Sequence, residues 1–317
     1  MSAPTAVNDP LIRVRESLER RISSLGERIG DHLASHLGRP GKMLRARFSL
    51  LLGAALDAPA EVRESVACAA ELVHGASLLH DDCVDRASVR RGAATPNGLF
   101  GQSTGILLGD LAFVEGMAQA SGLGPAAATS LLGAVREMAV GELQEEFLRG
   151  SLKLSVEGYY GLAVRKTGAL FEWCARALSE GSPRAHPRSV PVRLGREAGI
   201  LLQVVDDVHD FTLDLETAGK DPGQDFANGR LTLPGILALD DERTRARFIE
   251  LWSREPRGGE DFSRLKALLE EGGHLEGARQ AGRGLLVGML ALADRLPLRE
   301  EAVEFKAFLE SMARRGF

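Results

Sequence analysis

Two stretches of the sequence carry more carboxylates than an apolar helix normally tolerates. The first is Glu71-Leu-Val-His-Gly-Ala-Ser-Leu-Leu-His-Asp-Asp-Cys-Val-Asp85; the second is Leu201-Leu-Gln-Val-Val-Asp-Asp-Val-His-Asp-Phe211. On a helix Asp81 and Asp85 lie one turn apart on one face, with Asp82 beside them and His74 two turns earlier on nearly the same face. Gln203, Asp206, Asp207 and Asp210 fall at i, i+3, i+4 and i+7, a polar stripe on an otherwise apolar helix. Like charges one turn apart destabilise a bare helix by roughly 0.2–0.5 kcal/mol per pair, and burial makes them costlier unless cations are present. Carboxylates without a cysteine or a committed histidine suit a hard cation, and Mg²⁺ usually binds through one or two carboxylates plus substrate phosphates. A solvated acidic patch explains one such stretch; two, each on a helix of interior character, point to a shared metal-diphosphate chemistry. His80 and His209 stand beside the aspartates but off the face of the outer ones, and read as packing or supporting residues.

The cations complement these acids. Of 39 basic residues only six are lysine, so arginine is the default cation of this chain. An ammonium is a compact point charge suited to phosphate oxygens. Lys42 and Arg45 share a face at the start of a helix expected after Pro40, where free amides and the positive dipole end favour an anion. Arg90 and Arg91 follow the first aspartate stretch, Lys166-Thr167-Gly168 is mid-chain, and Gly219-Lys220-Asp221 follows the second stretch. Lys153, Lys266 and Lys306 have no such context and read as surface.

These groups need a scaffold, and the periodicity makes it helical. Apolar residues recur at three- and four-residue steps, and alternating β-branched runs are scarce. The pattern predicts helices near 10–36, 42–56, 60–85, 104–120, 125–150, 156–180, 189–213, 231–252, 262–294 with a break at Gly272-Gly273, and 298–315. Breakers separate them, none long enough to be an interdomain linker, so 1–317 reads as one all-α domain. Charged residues number 39 basic against 44 acidic, a net charge of −5, which argues against nucleic acid as a partner. Three cysteines without C-x-x-C spacing argue against a disulfide framework or zinc. No apolar run is long enough for a membrane span, and MSAPTAVNDP lacks the features of a signal peptide, so a reducing cytoplasm is expected.

Taken together, the motifs resemble those of trans-isoprenyl diphosphate synthases, the polyprenyl synthetase family. The elements are GKMLRAR (41–47), LVHGASLLHDDCVDRASVRRGAATPN (72–97), GILLGD (105–110), GELQ (141–144), KTG (166–168), LLQVVDDVHD (201–210) and GKDPGQD with GRLTLP (within 219–234), a core of about 39–239. The resemblance implies an isoprenoid-synthase helical bundle around a deep central cavity, usually a homodimer. It implies a transferase that condenses isopentenyl diphosphate head-to-tail onto an allylic diphosphate with Mg²⁺, three ions bound with the diphosphate. On that basis Asp81, Asp85 and Asp206 ligate magnesium, and Asp82, Asp207 and Asp210 support through water. Arg90, Lys166 and Lys220 neutralise the leaving diphosphate. Lys42, Arg45, His74 and Arg91 hold isopentenyl diphosphate, and Thr167 and Gln203 turn oxygens to the allylic cation.

Departures from the family pattern are few. Arg39-Pro40-Gly41 stands where paired glycines are common, Ala46 where proline is common, Leu202 for phenylalanine and Arg230 for lysine. None removes a metal ligand. Ser77 and Ala76, four and five residues before Asp81, correspond to positions that face the product tail in the family, and both are small. With the modest Val73 a layer deeper and Phe113 or Met117 as candidate floors, products of twenty carbons or more are expected: geranylgeranyl diphosphate or longer. Three other readings compete. A His-Asp metal phosphohydrolase leaves the second stretch without a role, a terpene cyclase normally has a different second metal motif, and a silent subunit of a heteromeric synthase loses aspartates that are all present here.

Overall fold

The structure, a computed structural model, describes residues 9–37, 41–90, 92–212, 222–255 and 257–314. It is all-α apart from one antiparallel pair of two-residue strands, Val89–Arg90 with Ala93–Ala94. The chain divides into two compact units: residues 1–135, 170–193 and 294–305, and residues 136–169, 194–293 and 306–317.

The first unit is organised on the 25-residue helix Ala60–Val84, which packs against Gln102–Ser121 and Leu44–Ala55. The seam with Gln102–Ser121 is narrow because one side of it is nearly bare of side chains. A methyl group at Gly105 would stand 2.5 Å from Cys83 Sγ, at Gly109 2.4 Å from the His80 ring, and at Gly116 2.8 Å from Val73. Ala112 and Ala76 fill the level between them, within a cluster that includes Ile22, Leu33, Leu79 and Leu108. Elsewhere in this unit Phe48 meets Phe171 and Phe305 edge-on at 5.1 and 5.5 Å between ring centres. The Trp173 indole donates to the Ala127 carbonyl.

The second unit gathers Val204, Val208 and Phe211 of Ser189–Thr212 with Phe226, Ile236, Phe248, Trp252 and Leu269. Phe248 stacks on Trp252 at 5.6 Å and Phe211 on Phe262 at 5.6 Å. Here the predicted helix 156–180 is resolved into three parts: Val156–Ala163, a π-helical turn Val164–Gly168, and Ala169–Gly181. The turn lies against Ser189–Thr212, where a methyl on Gly199 would stand 2.3 Å from the Gly168 Cα and 2.9 Å from the Thr167 carbonyl carbon.

Three further boundaries differ from the sequence expectation, and one break falls where it is expected. The helix expected over 10–36 is broken at Gly26, which takes φ 92°, giving Pro10–Ser23 and Glu27–Leu37. The helix expected from residue 42 starts at Leu44, because Met43 is left-handed at φ 45°. The stretch 231–252 splits into Leu233–Asp240 and Arg245–Trp252, and 262–294 into Gly259–Glu271 and His274–Ala293, the latter at the predicted glycine pair. No helix among the described residues is long and apolar enough to cross a membrane.

Gly199→Ala is expected to destabilise the protein, since backbone stands where the methyl must go and cannot rotate away. Overpacking of this kind costs about 1–3 kcal/mol, enough to lower the melting midpoint by several degrees in thermal unfolding followed by circular dichroism. An unchanged midpoint would mean that the two backbones part without resistance.

Candidate active site

In the first unit the aspartates occupy the last turn of Ala60–Val84. Asp85 caps it, its amide donating to the Asp81 carbonyl at 2.8 Å, so the one-turn spacing of the two carboxylates is kept. Asp81 and Asp85 are half-buried. Asp82 points inward, is 0% exposed, and accepts from Arg90 Nε at 2.7 Å. Asn97 fastens this helix end, its amide donating at 3.0 Å to the Asp82 and Ala87 carbonyls. His80 turns onto Gln102–Ser121, with Nε2 3.1 Å from the Ile106 carbonyl and 3.3 Å from Asp110, as a packing residue.

The expected placement of Lys42 and Arg45 on one helix face needs correction. Lys42 precedes the helix rather than sharing a helical face with Arg45, and the Ala46 amide donates to the Glu71 carboxylate at 2.9 Å. A carboxylate of the chain therefore already meets this helix start. Lys42 is exposed, and the Arg45 guanidinium lies 5.2 Å from the Phe171 ring centre. His74 and Ser77 are half-buried, joined by the Ser77 hydroxyl donating to the His74 carbonyl at 2.8 Å. Val73 and Ala76 are 0% exposed in the helix seam, whereas Phe113 and Met117 are half-buried. Arg91 and Lys220 lie outside the described residues.

In the second unit the same division recurs. Asp206 is exposed, while Asp207 and Asp210 are each 1% exposed. Asp207 accepts the Leu233 amide at 3.0 Å and the Gln203 amide at 2.9 Å. Gln203 Oε1 in turn accepts the Thr167 hydroxyl at 3.1 Å, so Thr167, Gln203, Asp207 and Leu233 form one hydrogen-bonded chain. Asp210 accepts the Asp225 amide at 3.2 Å. Burial, with the Asp225 charge adding to it, pushes the Asp207 carboxyl up to about 7 against the two hydrogen bonds it accepts. Burial also pushes the Tyr159 phenol well up, and Asp207 pushes it further.

Lys166, in the π-helical turn, is ion-paired with Glu145 and, at 3.0 Å, with Glu142. Arg230 Nε meets the same Glu145 at 3.1 Å. Burial alone would depress the Lys166 ammonium; the two glutamates outweigh it and hold its pKa well above the usual lysine range. Glu145, Lys166 and Arg230, with Tyr159, Leu162, Gln203, Asp207, Asp225 and Thr232, line a small open cleft. Glu145 and Tyr159 are contributors that motif reading did not find, and Asn97, the last residue of the 72–97 element, has no role in that reading. Of the first two only Glu145 left a signal, its i, i+3 spacing from Glu142.

Among the described residues no three histidine, cysteine or acidic side chains converge on one point as a self-sufficient metal site. In the first unit the half-buried Asp81 and Asp85, and in the second the exposed Asp206, are each of the chemistry that suits magnesium, an oxygen-seeking ion that completes its shell with substrate phosphates and water.

The sequence pattern of the polyprenyl synthetase family matches residues 27–270. The chain belongs to this family of prenyltransferases. It is 32% identical over 243 residues to heptaprenyl diphosphate synthase component 2 of Geobacillus stearothermophilus, covering 76% of each chain. It is 31% identical over 282 residues to a prenyl transferase of Synechocystis, covering 86% of this chain and 85% of the other. Its fold is that of the all-α isoprenoid synthases. Polyprenyl synthase from Caulobacter crescentus, solved with calcium and isoprenyl diphosphate, superposes with a TM-score of 0.90 at 25% identity over 97% of this synthetase and 95% of the other.

The buried Asp207 gives this synthetase a pH signature. Between the ordinary value of 3.8 and about 7 the unfolded chain releases the proton while the folded one keeps it. This group's contribution to stability therefore falls as pH rises through that window and is level above it. Asp207→Asn removes the slope, so in metal-free buffer its melting midpoint should gain on that of wild type from about pH 4 to about pH 7. Parallel curves would show that Asp207 is ionised throughout.

Proposed function

We propose that this synthetase condenses isopentenyl diphosphate head-to-tail onto an allylic diphosphate in a magnesium-dependent reaction, with residues 1–317 acting as one catalytic domain. The observation that carries the reading is the split within each aspartate set. Asp81 and Asp85 are half-buried and Asp206 is exposed, while Asp82, Asp207 and Asp210 are buried. Each set thus has an outer carboxylate for a cation and an inner one to hold the helix.

The chemical demand is to break a carbon–oxygen bond, which leaves negative charge on the diphosphate and positive charge on the allylic carbon. Magnesium, held as three ions by Asp81, Asp85 and Asp206 with the inner aspartates behind them, would supply the positive charge that stabilises the leaving group. Arg90, Lys166 and Lys220 add positive charge for the same diphosphate. Lys42, Arg45, His74 and Arg91 hold the diphosphate of isopentenyl diphosphate. Thr167 commits its proton to Gln203, which leaves the hydroxyl lone pairs to face the allylic cation. No side chain of the set is a base for the last proton, and the released diphosphate takes that part.

Product length is read at Ser77. Ala76 is enclosed in the seam with Gln102–Ser121, while Ser77 keeps exposure on the face of His74 and Asp81. Small residues here favour twenty carbons or more, and the relative named as a heptaprenyl synthase component supports a long product. A homodimer is supported by the exposed Leu99, Phe100, Ile106, Leu107 and Val114 of the first unit. The three unpaired, buried cysteines fit a reducing cytoplasm.

Labelled isopentenyl diphosphate incubated with allylic primers and Mg²⁺ tests the reading, the products being separated against chain-length standards. Asp81→Ala or Asp206→Ala should each lower turnover by several orders of magnitude, about tenfold per 1.4 kcal/mol of lost transition-state stabilisation. Either variant retaining full activity with unchanged metal dependence would remove that residue from the site. Incorporation only after adding a second protein would favour a heteromeric synthase instead.

Ser77→Phe should shift the main product toward fifteen carbons with turnover preserved, whereas Ala76→Phe should chiefly destabilise the helix seam. An unchanged product distribution in soluble, folded Ser77→Phe would show that this position does not set the length.

A further inference from the structure

Lys166 and Arg230 are two like charges drawn to one carboxylate oxygen. Both the Lys166 ammonium and the Arg230 Nε address Oε2 of Glu145, and Glu142 meets Lys166 from one turn earlier on the same helix. The backbones are as tightly placed as the side chains. A methyl on Gly141 would stand 3.0 Å from the Lys166 amide nitrogen and 3.1 Å from Arg165 Cβ, so Pro125–Leu148 lies directly on the π-helical turn. Arg230 is set from the other direction, its amide donating to the Asp225 carbonyl at 2.7 Å. The Glu145 side chain is 16% exposed and that of Arg230 17%, so solvent screens the cluster only weakly.

We propose that Glu145 is a positioning residue, holding Lys166 and Arg230 together as a paired cationic clamp for the allylic diphosphate. The inference rests on the prenyl-transfer reading of this site. Two cations at this spacing repel each other, and the shared carboxylate makes their juxtaposition favourable. Glu142 pairs with Lys166, whereas Glu145 meets both cations through one oxygen. The π-helical turn contributes by widening the helix at Lys166, a distortion that recurs at functional sites.

Glu145→Gln keeps the shape of the side chain and removes its charge. In its crystal structure Lys166 Nζ and Arg230 Nε should move apart; both atoms unmoved would overturn the proposal without any reference to activity. In steady-state kinetics kcat should fall about ten- to a hundredfold, the penalty for misplacing a catalytic group by about an ångström. The Michaelis constant for isopentenyl diphosphate should not change. Glu145→Asp, which keeps the charge, should recover part of the loss. A cycle separates positioning from a direct role: in a Lys166→Ala/Arg230→Ala background, Glu145→Gln should have almost no further effect. The same loss in both backgrounds would mean that Glu145 does not act through these cations. A wild-type protein that incorporates no isopentenyl unit defeats the prenyl-transfer reading instead, and the crystallographic comparison still decides the clamp.

Discussion

A carboxylate inside a helical core must be matched by a hydrogen bond or a cation, and this constraint organises both aspartate sets of the synthetase. Asp82 meets it with Arg90, and Asp207 with the Leu233 amide and Gln203. In each case the partner is itself part of the proposed chemistry or is bonded to a group that is. Gln203 cannot turn without disturbing Asp207, and Thr167 is bonded to Gln203. The side chains proposed to act are thereby held by the fold itself, which is the condition under which electrostatic stabilisation of a leaving group is effective.

Close backbone approach is the second device. Gly199 against Gly168 and Gly141 against Lys166 place the π-helical turn where the acidic residues can reach its lysine. In the first unit Gly105, Gly109 and Gly116 do the same for the helix that ends in Asp81, Asp82 and Asp85. The many glycines inside helical stretches are thus part of how the chain holds charged groups at short range.

Much of this was legible in the sequence, and the limits have physical causes. The apolar periodicity located the long helices, and the i, i+4 spacing located Asp81, Asp85, Asp206 and Asp210. What pattern cannot show is which member of a pair turns inward, because Asp206 and Asp207 are adjacent and chemically identical; tertiary packing makes that choice. The helix start at Leu44 was misplaced because Met43 adopts a left-handed conformation with no glycine to announce it. The π-helical turn lies against a distant helix at Gly199, a contact that local pattern does not record. Glu145 was passed over because the quoted GELQ element stops one residue before it.

The central claim is that fixed cations and metal-bound carboxylates stabilise charge separation at an allylic carbon. The most direct measurement compares single-turnover rates for an ordinary allylic diphosphate and an analogue carrying fluorine on its allylic double bond, with Mg²⁺ and isopentenyl diphosphate present. Fluorine withdraws electrons from the developing cation, so the account predicts a rate lower by orders of magnitude, with similar binding of the two substrates. Equal rates would contradict it, because a reaction that develops no positive charge on the allylic carbon has no need of this arrangement.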